Sequence, residues 1–487
     1  MPVGDPRGFA FDFYAQYPAL TILFYPPLFY ALSAPVILLF GESQAVIQAV
    51  VALHLFALGA GAFALARMLV GRWTALSVAL LLLGAGEIAL WGRQLMLEIP
   101  ALAFLVWATV FAWRFGRDGG TGALAATVLF LLAALYTKIS MAFVVPALVL
   151  AVLVMRGWPV LRDRRIWLAL PIALVGLVPL ILLTLKFGQA NVQSVVAIAD
   201  TPASRNTLAG WTWYAGQLPG MAGWPMLGLA AIGFVAALRR DGLERAAVVL
   251  FAAWFALGYV ALSFVELKEA RHGVILMVPL AVWAGLGLRC LSRPLPDAVR
   301  GPAAVGIAAL LAIATMVFAQ VPQVDGYREA ARIAAGLAPR QGAVLFSGKR
   351  DGSFIFSMRT ATGRDDLMTV RADKLFLSIA VRRELGVQET TYTDEQIRDL
   401  LRDIGISIVV AQRDFWTDLA QMAALQRVLD GPDFEEIRRI PVVANLPVED
   451  HELRIYRVRW EPRPARRDLV IDLPIIGRSV QGRGDAP

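Results

Sequence analysis

Over the first two-thirds of the chain, apolar residues run in blocks too long for a soluble core. Runs that span a bilayer, or nearly so, fall at about Gln44–Val70, Thr74–Trp91, Glu98–Phe115, Thr121–Thr137, Ser140–Trp158, Ile166–Leu185, Trp224–Leu238, Ala246–Phe264, His272–Leu288 and Pro302–Val321. About 20 apolar residues in a helix cross the hydrocarbon layer, so the pattern predicts about ten transmembrane helices. A shorter run, Tyr25 to Phe40, contains Pro26, Pro27 and Pro35 and reads as an interfacial or re-entrant piece. From about Asp325 the period changes. GYREAARIAAGL and DEQIRDLLRDIGI have helical spacing, whereas AVLFSG, SFIFSM, ISIVVAQ and ELRIYRVR read as strands. The order helix, strand, strand, helix, strand predicts a layered soluble α/β domain of about 130 residues. The closing GRSVQGRGDAP is expected to be a tail.

Composition agrees with a polytopic α-helical membrane bundle followed by a C-terminal soluble α/β domain. Hydrophobic residues make up 58% of the chain and charged ones 17%, with a mean hydropathy of +0.61. The single cysteine, Cys290, excludes an internal disulfide framework and a cysteine metal cage. A net charge of +8 would suggest nucleic acid in a soluble protein. Here the charges lie in short loops and the last third, so the expected surroundings are membrane lipids and no nucleic acid. Alternate loops differ sharply in cations: one set holds fourteen arginines, the other only Arg7, Arg93, Lys138, Lys186, Arg205, Lys268 and Arg271. The richer set is predicted to be cytoplasmic. Both termini and the α/β domain then lie on the outer, periplasmic or extracellular side of the plasma (inner) membrane. The opening MPVGDPRGFAFDF lacks a basic stretch leading into an apolar core and does not read as a signal peptide.

The cation-poor face collects the candidate chemistry. KEARH, Lys268 to His272, interrupts two apolar runs, and each charge costs ~2.5–3.5 kcal/mol at a bilayer centre on insertion scales. The same face receives Arg93 and Glu98 from WGRQLMLEIPALAF, Lys138 from LYTKISMAF, and the aromatic, proline-rich DFYAQYPALTILFYPPLFY. Cations at the mouth of an apolar bundle suit a substrate that joins a phosphate to a lipid tail, and a carboxylate beside them can take a proton or hold a metal. Plainer roles exist for each residue. Lys268 and Arg271 can snorkel from a helix end, Glu98 can serve its helix N-terminus, and His272 can be structural. His54, within a span, is expected to bond a neighbouring helix. GKRDGSF, Gly348 to Phe354, reads as a tight turn between two strands rather than an anion loop.

At these residues the chain resembles the polyprenol-phosphate-dependent, membrane-embedded glycosyltransferases of the GT-C class. Within that class it is similar to family 39 and its relatives, the protein O-mannosyltransferases and lipid A aminoarabinose transferases. The matching pieces are YPPLFYAL followed by LFGES, GRQLMLEIPALAF, TKISMAFVVPALVL and KEARHGVILMVPLAVWAGLGL. The resemblance implies a transmembrane glycosyltransferase domain over residues 44–321, preceded at 1–43 by part of a first outer loop carrying YPPLFY, and followed by an outer α/β domain at 322–465 and a tail at 466–487. It implies sugar transfer from a polyprenyl-phosphate donor to a lipid, glycan or protein acceptor on the outer face. By position, Glu98 corresponds to the acidic residue of the second outer loop, and Lys138 and Arg271 to cations near the donor phosphate. The family pattern begins with a further helix and an acidic motif on the first outer loop. Only Asp5 and Asp12 precede YPPLFY here, neither in such a motif, so the chain is expected to be a truncated or mis-started version of a longer protein.

The expected site therefore has Glu98, with Asp12 second, as catalytic acid; Lys138, Lys268, Arg271 and His272 on the donor phosphate; and Tyr25, Pro26, Pro27 and Arg93 lining the donor and acceptor cavity. The sequence names no cofactor. If a divalent cation takes part, Glu98 and His272 are its candidate ligands, although two residues from separate loops do not define a metal site. The rival readings are a transporter or lipid flippase, which calls for mid-bilayer charges and related halves, and a catalytically impaired membrane scaffold.

Overall fold

The computed structural model describes residues 13, 25–188, 203–239, 244–379, 383, 387–466, 470–473 and 478–481; Asp12 lies outside them. Contacts divide the chain into two compact units, one from Leu23 to Val321 and one holding the residues from Pro322 onward.

All ten apolar runs fall on helices. The first unit contains α1 (Leu28–Phe40), α2 (Gln44–Arg67), α3 (Arg72–Leu83), α4 (Gly86–Trp91), α5 (Glu98–Asp118), α6 (Thr121–Leu135), α7 (Val145–Arg156), α8 (Arg164–Phe187), α9 (Leu208–Ala222), α10 (Trp224–Ala237), α11 (Arg245–Phe264), α12 (Met277–Leu291) and α13 (Asp297–Phe318). 3₁₀ turns at Ile139–Val144 and Ala270–Leu276 lead into α7 and α12, and a third, Trp158–Arg162, joins α7 to α8. Among the described residues, seven helices are long and apolar enough to cross a membrane, and α9 and α10, bent by 112° at their junction, meet the same length and hydropathy test only when taken together. The bend has a local cause. Gly223 adopts φ +83°, a conformation that favours glycine, and Pro225 follows it.

Thr74–Trp91, read from sequence as one span, is two helices. Gly84 ends α3 and Ala85 is extended, so the chain restarts at α4. The glycines admit neighbours: a Cβ on Gly84 would come within 2.5 Å of the Cα of Ala312, and one on Gly86 within 2.8 Å of the carbonyl oxygen of Gly220. The Tyr25–Phe40 run forms α1 with Pro35 inside it, and its last residues, Leu38, Leu39 and Phe40, are exposed. Among the described residues His54 makes no hydrogen bond to a neighbouring helix. Its Nδ1 meets the carbonyl of Val50 one turn back, at 2.8 Å, while its ring packs edge-on against Phe29 and Phe104. An i−4 carbonyl lies within reach of the imidazole on its own helix.

In the second unit, α14 (Tyr327–Leu337), α15 (Asp351–Thr362), α16 (Ala372–Phe376), α17 (Asp394–Ile404) and α18 (Ala420–Leu429) accompany β1 (Ala343–Ser347), β2 (Met368–Arg371), β3 (Ile406–Ala411), β4 (Phe434–Pro441) and β5 (Glu452–Val458). The strands form one sheet in the order β2-β1-β3-β5-β4, parallel across β2-β1-β3 and antiparallel beyond. The parallel strands are buried throughout, as a sheet covered on both faces requires. SFIFSM, read as a strand, is helical and belongs to α15. Phe354 and Met358, both buried, stand one turn apart, and Phe354 stacks on Phe346 of β1 with centroids 4.5 Å apart. GKRDGSF is accordingly a strand-to-helix turn, not a turn between strands. The β-branched and aromatic composition of the segment masked its period of four.

A buried ionic network closes the β1–β2 end of this sheet. Arg371 grips Asp373 with two hydrogen bonds, at 2.8 and 2.6 Å, and pairs with Asp351 at the start of α15. Burial beside this network pushes the Lys374 ammonium down from its ordinary value near 10.5 to about 8. Protonation is thus easier in the unfolded chain than in the folded one. Stability is lost as pH falls from about 10.5 through about 8, and the penalty is fully present below that window. Lys374→Met is expected to raise the melting temperature at neutral pH and to flatten its rise above pH 8; an unchanged profile in a thermal melt counts against this role.

Candidate active site

Three helix ends bring the site together. Glu98 opens α5, where a carboxylate complements the helix N-terminus. Lys138 is the extended residue after α6 (φ −154°, ψ 117°), and its N–H bonds Ala134 at 2.8 Å. Arg271 lies in the 3₁₀ turn before α12. That turn is held from two sides: the indole of buried Trp254 donates to Ile275 at 2.8 Å, and Tyr214 donates to Glu269 at 3.2 Å.

The side chains converge on one oxygen. Lys138 Nζ lies 2.6 Å from Glu98 Oε1, and Arg271 Nε lies 3.8 Å from the same atom. Glu98 is 2% exposed, and a carboxylate so buried stays charged only with compensation. Its second oxygen, Oε2, is buried and has no hydrogen-bond partner among the described residues. Arg271 also pairs with Glu269, approaches Met96 Sδ at 3.9 Å and stands over the ring of Trp91, 6.0 Å from its centroid. The indole N–H of Trp91 is in turn taken by Glu87.

Other residues expected at the site are placed differently. Lys268 turns to the last carbonyls of α11, donating to Leu262 at 3.3 Å, Val265 at 2.6 Å and Ser263. Arg93 ties α4 to the end of α13, with bonds to Ala89 at 2.8 Å, Met316 at 3.1 Å and Ala319 at 3.3 Å. His272 follows Arg271 in the same 3₁₀ turn. Pro27 caps α1 and Pro26 is buried. Tyr25 packs against the apolar cluster of Phe29, Val50, Val51 and Leu97, one residue before Glu98. Among the described residues no three His, Cys, Asp or Glu side chains cluster in a way that could hold a metal, so Glu98 and His272 gain no third ligand there.

Glu269, Trp91 and Glu87 entered the site without being assigned from sequence. Glu87 carried a signal, a charge inside the apolar run GAGEIALW. Trp91 carried none, because an aromatic at a helix end is ordinary in a membrane protein.

Comparison with known proteins extends this picture. The family described as dolichyl-phosphate-mannose-protein mannosyltransferase matches residues 25–182, which include Glu98 and Lys138. No curated protein matches the chain. Among solved structures, ArnT from Cupriavidus metallidurans bound to undecaprenyl phosphate superposes with a TM-score of 0.63 at 14% identity, covering 90% of this chain and 89% of that one. The chain has the GT-C fold. Apo ArnT agrees, at TM-score 0.63 and 16% identity over 93% of this chain and 92% of that one. Arabinofuranosyltransferase AftD from Mycobacteria shares the GT-C fold at TM-score 0.50 and 14% identity, covering 93% of this chain but 36% of its own length. A GT-C fold at such low identity is a statement about architecture; what the site does rests on its side chains.

Proposed function

We propose that the protein is an integral membrane glycosyltransferase that moves a sugar from a polyprenyl-phosphate donor to a lipid, glycan or protein acceptor on the outer face of the membrane, with the groups around Glu98 as its site. The observation that carries the reading is the shared oxygen: Lys138 and Arg271 meet at Glu98 Oε1, while Oε2 is buried and has no hydrogen-bond partner among the described residues. Support for the donor class comes from the undecaprenyl phosphate bound to ArnT and from the mannosyltransferase match.

In the proposed step the acceptor hydroxyl attacks the anomeric carbon and the bond from that carbon to the phosphate oxygen breaks. The electron pair leaves with the polyprenyl phosphate. Lys138 and Arg271 neutralise that developing charge, which stabilises the transition state more than the bound donor. Glu98 Oε2 takes the acceptor proton. Glu269 and the face of Trp91 hold the Arg271 guanidinium, so the cation is pre-organised.

The test is a transfer assay in proteoliposomes with radiolabelled polyprenyl-phosphate sugars. Arg271→Ala is expected to lower kcat about 10²–10³-fold, as loss of a charge-stabilising group does. Undiminished transfer by Arg271→Ala and by Glu98→Gln together would remove the assignment.

A further inference from the structure

The connector between α7 and α8 carries a pattern that the reaction does not use. The sequence MRGWPVLRDRRIW, Met155 to Trp167, closes α7, makes the 3₁₀ turn Trp158–Arg162 and opens α8. Three arginines, Arg162, Arg164 and Arg165, crowd the N-terminus of α8. A cation there opposes the helix dipole at a cost of about 0.3–1 kcal/mol each, so helix stability does not account for them.

Their partners divide them. Arg165 donates to the carbonyl of Gly119 and lies 3.8 Å from Asp163. Arg156 lies 3.5 Å from Asp163 and stands over the Phe115 ring. The carboxylate of Asp163, the one acid in the connector, also caps α8 through the N–H of Arg165 at 3.0 Å, so its charge is spent. Arg162 and Arg164 are exposed and have no ion-pair partner among the described residues. Beside them, Trp158 is 76% exposed, Leu161 44% and Trp167 59%. Trp158 and Leu161 share a face, because side chains three apart eclipse in a 3₁₀ turn. The Trp167 indole locks the turn by donating to Leu161 at 2.7 Å.

We infer that this connector is a docking surface for anionic phospholipid headgroups, with Arg162 and Arg164 engaging the phosphate and Trp158 and Leu161 entering the acyl boundary. The chemistry is complementary on both counts: unpaired guanidiniums bind phosphate oxygens, and an indole next to an aliphatic side chain suits the interface layer. Exposed tryptophan beside the cations favours a lipid over a soluble anion.

The experiment purifies the protein from bilayers of equal parts phosphatidylglycerol and phosphatidylcholine, delipidates it stepwise and counts retained lipids by native mass spectrometry. Wild-type protein is expected to retain phosphatidylglycerol preferentially. The double variant Arg162→Gln/Arg164→Gln is expected to lose roughly 10- to 30-fold of that preference, about fivefold for each cation near a membrane surface. Arg293→Gln, an exposed arginine elsewhere in the cation-rich loops, is expected to keep it. Equal retention of the two lipids by wild type would overturn the inference. So would an unchanged preference in the double variant, an equal loss in Arg293→Gln, or complete displacement by inorganic phosphate.

Discussion

Glu98→Gln is expected to lower sugar transfer about 10²–10⁴-fold, the range that a positioned general base contributes, while the protein stays folded. Glutamine has the shape of the carboxylate and keeps an oxygen for Lys138 at the 2.6 Å position. It loses the negative charge and the capacity to take a proton. Alanine would be the worse probe: both substitutions remove the charge, but alanine also takes away the acceptor that Lys138 now holds and leaves a cavity where the buried side chain stood. The two roles of the residue separate in the kinetics. If Glu98 takes the acceptor proton, kcat falls and the KM for donor stays level or improves, because Lys138 and Arg271 no longer share themselves with a carboxylate. If Glu98 only holds the cations in place, the donor KM rises and kcat changes little. The thermal melt of the variant must match that of the wild type for either outcome to be read this way.

The bundle was legible because membrane burial writes itself into unbroken apolar runs, and each of the ten runs became helical. Breaks inside them were harder to read. Gly84 and Gly86 look like small residues tolerated in a span, and only the extended Ala85 between them shows that they interrupt one, at a point where Ala312 and Gly220 pack close. In the soluble unit, helical spacing in DEQIRDLLRDIGI gave a helix, which the structure opens with a capping box at Thr393, whereas Phe354, Ile355 and Met358 share a helix face that SFIFSM disguises as a strand. At the site, Glu98, Lys138 and Arg271 stood out because charge next to apolar runs is costly enough to need a reason. Lys268 stood out for the same reason and serves a helix end instead. Charge near a span marks a residue as constrained, and the identity of its partner is a tertiary fact. Arg93 makes the same point with three carbonyls, two of them more than two hundred residues away in sequence.

The largest stability effect is expected at a pair of glycines where α10 crosses α12. A Cβ on Gly233 would fall on the carbonyl oxygen of Trp283, and one on Gly287 on the carbonyl oxygen of Leu229. Small residues that let helix backbones touch are how membrane helices associate when no hydrophobic drive separates helix from lipid. The obstacle at both positions is backbone, which cannot rotate aside as a side chain does. Overpacking costs about 1–3 kcal/mol where neighbours can yield, so Gly233→Ala and Gly287→Ala are each expected at the upper end of that range or beyond. Gly228, also in α10, has open space where its Cβ would go. Gly228→Ala is therefore expected to leave stability unchanged or raise it by up to ~1 kcal/mol through helix propensity. Thermal unfolding in detergent compares the three; equal melting temperatures would show that the close crossing contributes nothing. The damage should also reach the chemistry. α12 continues directly from the turn that carries Arg271, so a helix pushed off α10 moves the guanidinium away from Glu98, and Gly287→Ala should lose transfer activity at temperatures well below its unfolding transition.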